Sequence, residues 1–204
     1  MKRRFKRYAF ARLAIAAFLA GLPQASAWER PVTIEGQGSQ EDGGLICPVT
    51  AVQNRYSMMA RHYEPLFPVL EELSIGLVAF SPMTNGLLTA AYGKDDKFDA
   101  KTDYRSTMPQ FTAEAMEKNR ELFALLKCTA EEKGATPGQI SLAWMIEKKP
   151  WIVPIPGTKK LSRLKENGKA ADITLTAAEV RALDEALAHM EMSAVYGGAQ
   201  VKTR

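Results

Sequence analysis

The stretch "TPGQISLAWMIEKKPWIVPIPGTKKLSRLKEN", residues 136–167, holds the change of period that decides the fold class. Thr136 can cap a helix, Pro137 suits its first turn, and Gln139 stands three residues past the cap. That spacing is a capping box, and it opens the apolar segment "ISLAWMIEKK". "WIVPIP" (151–156) is the next strand candidate. A second helix is predicted from about Leu161 to Ala171. Helix and strand in alternation favour a parallel sheet with helical crossovers.

The same alternation extends outward. "PVTAVQNRYS" offers a β-branched run that ends at Gln53. "LFPVLEELSIG" places Leu66, Leu70 and Leu73 at helical spacing and closes at Gly76. "GLVAFSP" reads as a strand covered on both faces, bounded by Gly76 and Pro82. Residues 86–111 have no clear period, which in a compact domain marks a functional or disordered loop. "TAEAMEKNRELFALLKCTAEEKG" (112–134) predicts one long helix with Met116, Leu122, Leu125, Leu126 and Ala130 on its apolar face and Gly134 past its end. A last helix is predicted from Ala177 to His189, opened by a second capping box of Thr176 and Glu179. The class is α/β, and three visible strands make a poor closed barrel.

The 204-residue chain carries a formal charge of +4 and a pI near 9.0, but this basicity is local. Residues 1–27 hold Lys2, Arg3, Arg4, Lys6, Arg7 and Arg12 without an acid, so the body is net acidic. Because the body shows neither a basic stripe nor interleaved aromatics, nucleic acid is not the expected partner. The leader itself combines a cationic start, an apolar run from about Leu13 to Leu22, Pro23 and "ASA" before Trp28. It reads as a secretory signal cleaved after Ala27, too short for a spanning helix, which needs about 20 apolar residues. An exported or periplasmic protein is expected if that signal is genuine, and a cytoplasmic one otherwise. Residues 28–47 read as a polar, Gly-rich linker, 48–192 as the patterned body and 193–204 as a tail. Cys47 and Cys128 suggest neither a disulfide framework nor zinc, and Cys128 is expected to pack on its helix.

Ligands of α/β proteins sit beyond the carboxyl ends of the strands. After Ile155 the sequence supplies Gly157 for close backbone approach, the Thr158 hydroxyl, and Lys159, Lys160 and Arg163 at a helix start, a set suited to phosphate. Glu166 and Asn167, one turn on, can bond a base edge. After the second strand, Phe80 offers a stacking ring, Ser81 a hydroxyl, and Gly86 a turn. Each cluster also has an ordinary reading, as solvated charge or as core.

Together these segments resemble the C-terminal half of an aldo-keto reductase from about Val49 to Met192. The resemblance is carried by "QNRYS", by "FSPMTNGLLT", by Asp103-x-Arg105 leading to Pro109 and Phe111, and most specifically by "WIVPIPGTKKLSRLKEN". It implies a partial (β/α)8 TIM barrel containing strands six to eight, preceded by an extra leader, and an NADP(H) site. By that resemblance Gln53 bonds the nicotinamide carboxamide and Phe80 stacks on its ring. Ser81, Met83, Gly86 and Leu87 line the pyrophosphate. Gly157 lets that backbone approach, Thr158, Lys159 and Arg163 grip the 2′-phosphate, and Glu166 and Asn167 meet the adenine. Gln110 stands where near relatives often carry Arg, outside the cofactor set.

The family's chemistry uses a Tyr acid, a Lys, an Asp and a His from the first four strands of the barrel. His62, His189 and Tyr8 do not stand at those positions, so no catalytic residue is assigned. The full reaction implied is reduction of an aldehyde or ketone, with a small carbonyl compound as substrate, and the expectation is a truncated enzyme with little activity alone. A non-catalytic nucleotide-binding or interaction module, or a truncated product without function, are the alternatives. Open sheet edges would favour self-association.

Overall fold

The computed structural model describes residues 49–195. The leader and the linker, with Cys47, lie outside these residues, as does the end of the tail. Three strands, β1 (Ala51–Arg55), β2 (Gly76–Phe80) and β3 (Ile152–Pro154), form one parallel sheet in the order β1-β2-β3. Gln53 pairs with Val78, Arg55 with Phe80, and Val78 with Val153, so these side chains share one face. Val52, Leu77, Ala79 and Ile152 share the other. The first strand runs two residues past Gln53, to Arg55, because the ladder with β2 continues to Phe80.

The two faces differ. Leu77 (1% exposed) and Ala79 (0%) are sealed into the main core with Trp144, Leu142 and Ile152, whereas Gly76, Val78 and Phe80 are only half-buried. The strand is therefore not covered on both faces as its apolar run suggests. The helices lie against one side. They are α1 (Phe67–Glu72), α2 (Ala113–Lys118), α3 (Arg120–Lys133), α4 (Pro137–Lys148), α5 (Leu161–Gly168) and α6 (Ala177–His189).

Local sequence explains most of these boundaries. Both capping boxes form: Thr136 with Gln139 opens α4, and Thr176 with Glu179 opens α6. Gly134 ends α3 in the left-handed conformation at φ 59°, where a Cβ would be strained. The expected single helix over 112–134 is instead two, broken at Asn119. Asn119 is fully buried; its amide donates to Ser193 Oγ (2.8 Å) and its Oδ1 accepts from the Ser193 N–H (3.0 Å). In α1 the inward residues are Phe67 and Leu70, while Leu66 and Leu73 are exposed at 44% and 60%. The helix is only two turns long and preceded by a 3-10 turn at Glu64–Leu66, which rotates Leu66 off the buried side.

Tyr56 follows β1 into the core, stacked on Trp144 at 5.5 Å and edged by Phe67 at 5.4 Å. Its hydroxyl donates to Glu64 (2.7 Å), and Lys148 bridges Glu64 (2.7 Å) and Asp184 (2.9 Å), which also accepts from the Trp144 indole (2.9 Å). Burial, then the Glu64 charge, pushes the Tyr56 phenol above the usual tyrosine range. Each buried polar group here has a partner, which is what lets the network sit against an aromatic core.

Residues 86–111 are ordered about one cation. Arg105 lies over the rings of Tyr92 (4.9 Å), Phe98 (4.5 Å) and Phe111 (5.9 Å) and is paired with Asp103. Asp103 is held below the usual carboxylate range chiefly by the Arg105 hydrogen bond. Cys128 is exposed rather than packed, its thiol raised chiefly by the Glu132 charge. Among the described residues no helix is long and apolar enough to cross a membrane.

Candidate functional site

Because the strands are parallel and in register, their carboxyl ends open at one mouth. The Ile155 N–H bonds the Ala79 carbonyl (3.0 Å), which keeps the chain after β3 beside the chain after β2. The Phe80 and Ser81 end, the Arg55 end, and the start of the 157–167 segment are thus brought to the same carboxyl end of the sheet. Gln53 is exposed on the open face, two residues below the end of β1.

The turn after β2 is strained. Ser81 (φ 54°), Thr84 (49°), Asn85 (60°), Gly86 (92°) and Ala90 (50°) all have left-handed backbones. Only Gly86 adopts this without steric cost, and non-glycine outliers concentrate where a site over-determines the chain. The turn is held by Ser57 Oγ to Thr84 Oγ1 (3.2 Å), by Gln110 Nε2 donating to Asn85 Oδ1 (3.3 Å), and by the Gly86 N–H to the Met83 carbonyl (2.9 Å). The Met83 side chain packs on the main core near Gly138. Leu87 is 1% exposed, in a second core with Met108, Phe111 and Met116, so any part it has at the mouth falls to its backbone.

Arg55 is a member of this mouth that sequence reasoning missed. Its guanidinium lies 5.1 Å over the Phe80 ring, and Nη1 donates to Ser81 Oγ (3.4 Å). The signal was its spacing: it alternates with Gln53 on one face of β1. His62 is held below its usual value, chiefly by burial and then by the Arg55 charge.

At the third strand end, Gly157 has no neighbour within 4 Å of a built Cβ, so nothing in the chain itself demands glycine there. The Thr158 hydroxyl accepts the Lys160 N–H (3.1 Å) just before α5. Lys159 and Lys160 are exposed. Arg163 Nη1 donates to Glu166 Oε2 (2.9 Å), while Glu166 Oε1 accepts from the Thr136 hydroxyl (3.0 Å). Asn167 is 7% exposed, and its side-chain nitrogen is buried without a hydrogen-bond partner among the described residues. No group of three His, Cys, Asp or Glu side chains suited to a metal occurs among those residues.

The aldo/keto reductase family model matches residues 43–188. The chain belongs to the aldo/keto reductase family. Aldo-keto reductase str7 of Strobilurus tenacellus is 42% identical over 142 residues, covering 68% of this chain and 42% of that protein. The chain therefore spans about two fifths of the relative's length. A glycerol dehydrogenase from Gluconobacter oxydans superposes with a TM-score of 0.63 at 23% identity, over 71% of this chain and 44% of that one. The fold is accordingly a partial (β/α)8 barrel, its three parallel strands and helices being one segment of the family's architecture. An aldo-keto reductase from Klebsiella pneumoniae, solved in complex with NADPH, aligns at a TM-score of 0.47 and 22% identity over 74% of this chain and 41% of that one.

Proposed function

We propose that the described unit is the cofactor-gripping part of an NADP(H)-dependent oxidoreductase of aldehydes or ketones. One observation carries this reading: the buried, unpartnered Asn167 amide lies one turn from Arg163 on α5, with Phe80 at the same mouth. A buried donor without an acceptor is costly, and a small turn of the side chain toward a base edge seated against α5 would satisfy it. Arg163, with Lys159, supplies positive charge for a phosphate on that nucleoside. The open space at Gly157 leaves room for its backbone to be approached. The Ser81 hydroxyl and the backbone of Met83, Gly86 and Leu87 would line the remaining phosphates, and the Phe80 ring would stack on the nicotinamide, with Gln53 on the same face of the sheet.

A bound nicotinamide would supply the hydride. This chain's residues orient and bind; the proton donor that the family takes from its earlier strands is not among the residues we assign. We therefore propose binding without turnover for residues 1–204 alone, with a small carbonyl compound reduced only when complementary strands are supplied. Export, from the 1–27 leader, belongs to the same proposal; amino-terminal sequencing of exported material should begin at Trp28.

Calorimetric titration tests the core of the reading. NADPH should bind the purified chain, and Arg163→Ala should weaken it by about ten-fold, the loss of one charge-assisted contact. Absence of NADPH binding to the natural chain overturns it.

A further inference from the structure

Glu166 makes three bonds that divide its two functions. Its Oε1 accepts from the Thr136 hydroxyl (3.0 Å), its Oε2 accepts from Arg163 Nη1 (2.9 Å), and its backbone carbonyl accepts from Gln139 Nε2 (2.8 Å). Thr136 and Gln139 are the capping box of α4, so the start of one helix holds the second turn of another. The Thr136 hydroxyl oxygen meanwhile accepts the Gln139 N–H, which leaves its proton for Glu166.

We propose that Thr136 is a positioning residue for cofactor selectivity, favouring a 2′-phosphorylated dinucleotide over one without that phosphate; this rests on the dinucleotide reading above. A guanidinium and a carboxylate left to themselves pair through two parallel N–H bonds. With Oε1 engaged by Thr136, Glu166 meets Arg163 through one oxygen, which leaves the guanidinium's other donors available to a phosphate. Release of Oε1 lets the carboxylate rotate and take Arg163 as a fork, withdrawing those donors. The side chains are partly exposed, Glu166 at 26% and Arg163 at 49%, so both have room to rearrange.

The test separates this role from helix capping. Glycine is a good cap residue without charge or donor, so Thr136→Gly removes the bond to Glu166 while largely preserving α4. Thr136→Ser keeps both functions. Titration of the full chain with NADP⁺ and NAD⁺ should show Thr136→Gly weakening NADP⁺ by about five-fold with NAD⁺ little changed, and Thr136→Ser restoring the natural ratio. Thr136→Ala, read below its own unfolding midpoint, should repeat the result without glycine's backbone freedom. Parallel loss of both cofactors, or an unchanged ratio, overturns the inference. If the natural chain binds neither cofactor, the dinucleotide reading falls and this inference with it.

Discussion

Leu77 and Val78 are neighbours on β2, one sealed into the main core and the other half-buried on a face that the helices leave open. Behind Leu77 the chain has built aromatic stacking, a satisfied Tyr56–Glu64–Lys148–Asp184 network and two capped helices. On the side of Val78 lie Gln53, Arg55 and Phe80, polar or half-buried, next to a turn of strained residues. The stabilising interactions and the polar groups of the strands are thus segregated by the pleat itself. Packing is concentrated on one face, and the polar and strained residues lie on the other and at its rim.

The sharpest way to break this comparison is Trp144→Ala. The indole is fully buried, stacked on Tyr56 and bonded to Asp184, so its loss should cost about 3–5 kcal/mol in chemical unfolding. Next come the two neighbours: Leu77→Ala should cost about 2–5 kcal/mol, but Val78→Ala under about 1.5 kcal/mol. Equal losses would show that the open face is packed in solution, by a second copy or by another segment.

A smaller effect should come from the rim of the helical side. Glu179 is held at about 2, against 4.5 ordinarily, chiefly by its hydrogen bond from Lys133 and then by the Thr176 N–H. A depressed carboxyl stabilises the fold above its unfolded value, and the contribution disappears as pH falls toward the folded one. Glu179→Gln should therefore lower the unfolding midpoint at neutral pH, and the gap from the natural chain should close between about 4.5 and about 2. A gap independent of pH would assign the effect to the capping box alone.

What the sequence made legible follows the same division. Both capping boxes and the Gly134 stop rest on neighbours within a few residues and formed as read; the three strands formed where expected, though β1 runs on to Arg55 and β3 is only Ile152–Pro154. The Asn119 break was hidden because its cause, Ser193, lies 74 residues away. Alternating burial in "GLVAF" was hidden because a continuous apolar run does not say which face its helices cover. At the site, Arg163, Glu166 and Asn167 stood out by spacing. Their wiring did not, since Thr136 reaches Glu166 across 30 residues. Arg55 drew no reading of its own from the sequence, because only pairing with β2 places it over Phe80.

The Asn119 junction has a mechanical consequence. Two reciprocal bonds to Ser193, together with the neighbouring Lys118–Glu191 pair, clasp the segment beyond α6 to the joint between α2 and α3. The clasp closes a circuit of chain from 119 to 193 that contains α3 to α6 and β3, so tension on the segment beyond α6 bears on the α2–α3 joint. Asn119→Ala should open that circuit, exposing the joint and the end to protease together while the far sheet stays protected.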